Sequence, residues 1–201
     1  LDKIKQLVSF LSILHHTPVP IEDNPLADNL LMRELNHKYI FINPFQADNG
    51  LNLDAITDGL AAVAGKYVAD KNLLAKINDL GNLYLQKGKT LLHGDFYPCS
   101  WLETPKGLKI IDFEFAFCGW AEFDLSVLYA HLILTRHADS LFFDSLASYE
   151  NNELLNLKLI EAWAGVEIFR RLLGVAQLPL AGDLSTKKML LEKAYHLITN
   201  V

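Results

Sequence analysis

A small set of polar residues stands at the ends of three short apolar stretches near the middle of the chain. His93, Gly94 and Asp95 follow Thr90-Leu91-Leu92, Ser100 opens a second stretch, and Asp112 and Glu114 close a third, Leu108-Lys109-Ile110-Ile111. Asp112 lies 17 residues after Asp95, with the turn Pro105-Lys106-Gly107 between them. A hairpin of that length returns the chain beside its start and sets both acids at one mouth of a β ribbon. Carboxylates gathered at one concave site repel one another unless a cation joins them. Mg²⁺ takes oxygen ligands and keeps waters and substrate phosphates in its shell. Phosphoryl transfer asks for few parts: one acid to orient or deprotonate the attacking hydroxyl, and others to hold metal against the transferred phosphate. Phe96, Trp101, Phe113, Phe115, Phe117 and Trp120 would keep water from the acids. An aspartate after His-Gly is also an ordinary turn former. Asp112, by contrast, ends a strand expected to be buried, where an acid seldom sits without a partner.

The elements that must position these residues are mostly helical. Leu1, Ile4, Leu7, Val8, Leu11 and Leu14 recur at helical offsets, predicting a helix over 2–15 that stops at His15-His16-Thr17-Pro18. A short helical stretch is expected from Pro25 to Lys38, then a loop through Asn43-Pro44 and Asn49-Gly50, a helix over 53–68, and one capped by Asp70 that runs to about Gln86. After the three strands (90–93, 100–103 and 108–113) the helical period returns over 122–136, 138–149, 153–173 and 185–199. The expected fold class is therefore mostly α with a small β-hairpin insertion, α+β, in one unit over 1–201. His131 lies in an apolar helical run and reads as a core residue.

The string HGDFYPCSWL followed by LKIIDFEFAFCGWAEFDLSVL resembles the catalytic core of the aminoglycoside phosphotransferase and choline kinase superfamily, small-molecule relatives of protein kinases. The matching positions are His93-Gly94-Asp95, Ser100, Ile111-Asp112-Phe113-Glu114 and Phe123-Asp124. Within the superfamily the chain is most similar to the 5-methylthioribose kinase branch. Ser100 stands where most members carry a metal-binding Asn, Asp112-x-Glu114 matches the acidic pair, and Glu167-Ile168-Phe169-Arg170-Arg171 resembles that branch's paired-arginine helix. The resemblance implies the C-terminal lobe of the protein-kinase-like fold, with ATP as co-substrate and Mg²⁺ as cofactor. It implies that Asp95 accepts or orients the acceptor hydroxyl. Asp112 and Glu114 would hold Mg²⁺, with Ser100 a weak or indirect neighbour. Arg170, Arg171 and Trp120 would contact the substrate. His93 and Asp124 would support the site. Read without the resemblance, the two arginines also suit a helix C-terminus beside Glu167, and Asp124 suits a helix N-terminus.

The chain has 201 residues, 18 basic and 24 acidic, and 51% hydrophobic residues. That composition excludes disorder as the overall state. The net charge of −6, with no Lys/Arg run, argues against a nucleic-acid partner. No uninterrupted apolar run suits a membrane span. Two cysteines are too few for a disulfide scaffold, so a cytoplasmic setting is expected. No Gly-rich phosphate loop and no strand lysine with a helix glutamate is found. A nucleotide-binding N-terminal lobe is accordingly expected to lie outside this chain, leaving the fragment alone inactive. The expected partners are ATP and a small molecule, sugar-like by resemblance, with an aminoglycoside or amino alcohol as the alternative acceptor. A non-catalytic kinase-like binding domain is the rival reading from another class, and a homodimer stays open.

Overall fold

Helix α7 (Glu122–Leu134) is buried along its whole length. Its sequence, EFDLSVLYAHLIL, carries apolar residues on every side, the mark of a helix without a solvent face. Helix α9 (Leu157–Leu173) is almost as deep and packs against α7 on one side and α10 (Leu184–Thr199) on the other. Gly165 permits the second contact, because a Cβ there would stand 2.6 Å from the Ala194 carbonyl oxygen. Around this centre lie α1 (Asp2–His16), α2 (Pro25–Asp28), α3 (Leu30–His37), α4 (Leu53–Ile56), α5 (Leu60–Val68), α6 (Lys71–Tyr84) and α8 (Asp139–Ser145). The computed structural model describes residues 1–20, 25–178 and 182–200. Its architecture is the mostly α C-terminal lobe of the kinase-like fold, with two small antiparallel sheets.

The helix predictions hold for α1, for α6 with Asp70 accepting from the Asn72 and Leu73 amides, and for α7, α9 and α10. Four boundaries differ, the first being the helix expected over 138–149, which ends at Ser145 and passes into a 3₁₀ turn over Leu146–Ser148. The helix expected over 53–68 breaks at Thr57–Gly59, where Gly59 adopts φ +79°. The stretch 25–38 splits at Asn29, also left-handed at φ +37°. The helix expected over 153–173 starts at Leu157, because the Asn156 side chain caps it through the Leu159 amide.

The strands depart further. The sequence predicts three strands, whereas the described residues hold four in two pairs, one of them the expected hairpin around Pro105-Lys106-Gly107. β1 (Thr90–Leu92) pairs with β4 (Phe117–Gly119), Leu91 opposite Cys118. β2 (Trp101–Thr104) pairs with β3 (Gly107–Ile110), Trp101 opposite Ile110. At three residues, β4 is too short to show an alternating pattern.

Candidate active site

The turn His93-Gly94-Asp95 leaves the end of β1 and is held from several directions. Gly94 adopts φ +85°, and a Cβ there would lie 2.1 Å from the Phe115 carbonyl oxygen, so glycine is required on both counts. Beneath the turn, the fully buried Asp124 carboxylate accepts from the His93 amide at 2.7 Å and the Gly94 amide at 2.9 Å. His15 Nε2 lies 3.2 Å from the same carboxylate, and its Nδ1 lies 2.9 Å from the Tyr149 hydroxyl. His15 is therefore an interior partner of the turn, buried at the end of α1. Ser100, also buried, donates its hydroxyl to the Asp95 carbonyl at 3.2 Å.

His93 ties the two acidic segments together. Its Nδ1 accepts from the Asp95 amide at 3.4 Å, leaving Nε2–H to donate to the Ile111 carbonyl at 2.8 Å. The Ile111 amide in turn donates to the Ser100 carbonyl at 3.0 Å. The backbone before Asp112 thus runs beside the turn bearing Asp95, carried there by the hairpin that turns at Pro105-Lys106-Gly107, as the sequence predicts. Asp112 is not the buried acid that was expected. β3 ends at Ile110, and Asp112 takes a left-handed conformation, φ +72° and ψ +54°, that turns the chain out of the sheet. Asp112 and Glu114, the latter in a single 3₁₀ turn over Phe113–Phe115, are both exposed.

Arg170 and Arg171, in the last turn of α9, both reach Asp95. Arg170 Nη1 and Arg171 Nη2 each donate to Asp95 Oδ1 at 3.0 Å. Oδ2 accepts no hydrogen bond among the described residues. The other side of the arginine pair is closed by Glu167, with Arg171 Nε 2.6 Å from Oε1 and Arg170 Nη1 3.1 Å from Oε2. The Arg171 guanidinium also lies over the Tyr97 ring at 4.5 Å. The Glu167 side chain is 2% exposed and that of Asp95 14%. Burial opposes a charged Glu167, yet Arg171 and then Arg170 outweigh it and hold the carboxyl well below the usual carboxylate range. Burial likewise opposes a charged Arg170, and Glu167 with Asp95 more than reverses it. His131 Nε2 stands 3.4 Å from Glu167 Oε1 without hydrogen-bond geometry, and burial pushes this imidazole below its ordinary pKa.

Glu167 is the residue that sequence reasoning underrates. Its spacing of three and four from the arginines is visible, but that pattern equally describes an exposed helix pair. The part that helix α3 plays in the site is missed as well: its Asn36 donates to the Gly94 carbonyl, and Asn29 at its N-terminus donates to the Glu114 carbonyl. Trp120 is placed elsewhere. It is 40% exposed and lines a cavity of about 430 Å³ with His16, Lys87, Tyr149 and Leu154, a lining that includes neither Asp95 nor the arginines.

Residues 4–163 match the phosphotransferase enzyme family. The chain belongs to that family. Among similar proteins, a methylthioribose kinase of Exiguobacterium sibiricum is 34% identical over 106 residues, which cover 53% of this chain and 26% of that protein. Methylthioribose kinase 2 of Oryza sativa subsp. japonica is 26% identical over 137 residues, 66% of this chain and 31% of that protein. A methylthioribose kinase of Bacillus pumilus is 34% identical over 101 residues, 50% and 25% respectively. The matched segment spans about a quarter to a third of the length of these relatives. Among the described residues, no helix is long and apolar enough to cross a membrane.

Proposed function

We propose that this chain is the acceptor-binding catalytic lobe of an ATP-dependent small-molecule kinase that phosphorylates a hydroxyl of a sugar of the methylthioribose type. The observation that carries this reading is the state of Asp95: Oδ1 is fixed by two arginines, Oδ2 is left without a partner among the described residues, and the turn beneath is anchored to Asp124. In the proposed reaction the acceptor O–H gives its proton to Asp95 Oδ2 while its oxygen attacks the γ-phosphorus, and the bond from that phosphorus to the β–γ bridging oxygen breaks to release ADP. The donor set on the acidic turn suits Mg²⁺: two exposed carboxylates, Asp112 and Glu114, and among the described residues no group of three or more His, Cys, Asp or Glu able to hold an ion alone. Such a site is completed by substrate phosphates and water. When bound there, Mg²⁺ would neutralise charge on the donor phosphates. Ser100, with its hydroxyl donated to the Asp95 backbone, is better suited to bracing the turn than to holding the ion. The clamp over ATP would come from a lobe outside these residues, and the cytoplasm would supply the nucleotide.

The charge count favours a neutral acceptor. Asp95 and Glu167 balance Arg170 and Arg171, so the base and its arginines present no net charge for an ammonium group to neutralise. This supports a sugar over an aminoglycoside or amino alcohol. The test is ADP release by the full-length protein with Mg²⁺-ATP and 5-methylthioribose, ribose, choline or kanamycin. Asp95→Asn is expected to lower kcat roughly 10²- to 10⁴-fold. Undiminished turnover in that variant removes Asp95 from the chemistry, and turnover of a cationic acceptor alone overturns the sugar assignment.

A further inference from the structure

Helix α3 is turned inside out. Arg33 and Asn36 are buried, whereas Leu31 is 82% exposed and Leu30 and Leu35 are also exposed. An amphipathic helix on a globular surface normally buries its leucines. A local rule broken in this way points to a functional demand on the polar face. That face is formed by Asn29, Arg33 and Asn36, spaced i, i+4, i+7 along one side. Asn36 Nδ2 donates to the Gly94 carbonyl at 2.9 Å and to the Tyr84 hydroxyl at 3.3 Å. Asn29 Nδ2 donates to the Glu114 carbonyl at 2.8 Å and the Ala116 carbonyl at 2.9 Å. Arg33, between them, donates to the Tyr84 and Gln86 carbonyls and closes the end of α6.

We infer that α3 is a bracket for the active site: Asn36 and Asn29 are positioning residues that fix the spacing between the turn carrying Asp95 and the turn carrying Asp112 and Glu114. The inference rests on the phosphotransfer reading above. The Gly94 and Phe115 backbones already touch, so a small shift of either turn must move the other or open the contact. Each asparagine acts through the backbone it holds, and a displacement of the order of 1 Å at a catalytic group can cost about a hundredfold in rate.

The test uses the full-length protein with Asn36→Leu and Asn29→Ala, and Arg33→Met as the control on the same helix. Asn36→Leu is expected to lower kcat roughly ten- to a hundredfold with KM for the acceptor little changed. Asn29→Ala is expected to weaken Mg²⁺-nucleotide binding several-fold by calorimetry, because it frees the acidic turn. Arg33→Met is expected to lower thermal stability while the folded protein keeps its kcat. Losses of kcat that simply follow thermal stability across all three variants overturn the bracket. A separate readout keeps it testable if the parent protein phosphorylates nothing: amides of Gly94 and Asp95 should exchange hydrogen faster in Asn36→Leu, and those of Phe115 and Ala116 in Asn29→Ala, with neither set faster in Arg33→Met. Unchanged exchange in both asparagine variants rejects the inference whether or not the kinase reading stands.

Discussion

Glu167→Gln isolates what the buried carboxylate does for the arginine pair. In the parent protein the cluster is electrically balanced, and four contacts of 2.6–3.1 Å join its members. The substitution keeps the volume and removes one negative charge, leaving two guanidiniums to share Asp95. Gln can still accept from Arg171 Nε through its amide oxygen, but its NH₂ then faces Arg170 Nη1, donor against donor. Removing one member of a buried ion pair costs about 3–5 kcal/mol. At about 2–4 °C per kcal/mol for a domain of this size, the thermal midpoint should fall by about 6–20 °C. The assay is thermal unfolding by circular dichroism at pH 7.5, repeated on Arg171→Gln and on the double variant. Because both groups belong to one cluster, the double variant should be substantially less destabilised than the sum of the singles. A loss below about 1 kcal/mol, within the range of an exposed ion pair, or strict additivity, would refute the claim that these charges are buried and mutually dependent.

Three further outcomes follow from the same geometry. Gly94→Ala should cost about 1–3 kcal/mol from overpacking alone, with left-handed backbone strain in addition, because its Cβ would meet the Phe115 carbonyl; an unchanged midpoint in chemical denaturation would contradict this. Asp112→Gly should retain or gain stability by relieving a left-handed aspartate, a strain of the order of 1 kcal/mol, while Mg²⁺-nucleotide binding falls; calorimetry showing full binding would remove Asp112 from the metal site. For His131, burial lowers the folded pKa, so the unfolded chain takes up the proton first as pH falls below about 6.5. Stability should therefore be complete above that pH and decline between it and the folded value. Glu167, Arg171, Asp95 and the Tyr97 ring are the groups around this imidazole. His37, also lowered by burial, contributes with the same sign. Melting temperatures at pH 7.5 and 5.5 should differ less in His131→Gln than in the parent, and an equal difference would count against a buried neutral imidazole.

What could be read from the sequence divides along physical lines. Length located α7, α9 and α10, because apolar-rich stretches this long exceed a strand, and Asp70 marked the start of α6 because a cap is a local interaction. β4 escaped because three residues, two of them Cys118 and Gly119, carry no period. The site followed the same division. Asp95, Asp112 and Glu114 stand out as candidates by their spacing, but the exposure of Asp112 depends on one left-handed dihedral that composition does not encode. Asn29 and Asn36 were invisible because their partners are main-chain carbonyls 58 to 87 residues away. A carbonyl has no sequence signature. Trp120 shows the opposite error, an aromatic residue near the motif in sequence that faces another cavity.

The turn His93-Gly94-Asp95 explains why so many polar groups are buried in one lobe. Its amides are held by Asp124, its Gly94 carbonyl by Asn36, its Asp95 carbonyl by Ser100, its imidazole by the Ile111 carbonyl, and its carboxylate Oδ1 by the arginine pair. Each of these bonds contributes only about 0.5–1.5 kcal/mol when both partners are neutral, and more when one is charged. Apolar packing would stabilise the lobe as well and would spare the desolvation of four carboxylate and guanidinium groups. Such packing would not fix the direction of a single oxygen. Hydrogen bonds are directional, and those that converge on this turn leave Asp95 Oδ2 without a partner among the described residues, the oxygen that would receive the proton in the proposed reaction. A base oriented before substrate arrives spends no rate on reorganisation. On this argument the buried polar network is the cost of holding one lone pair still, and the proposed phosphotransfer is the chemistry that would use it.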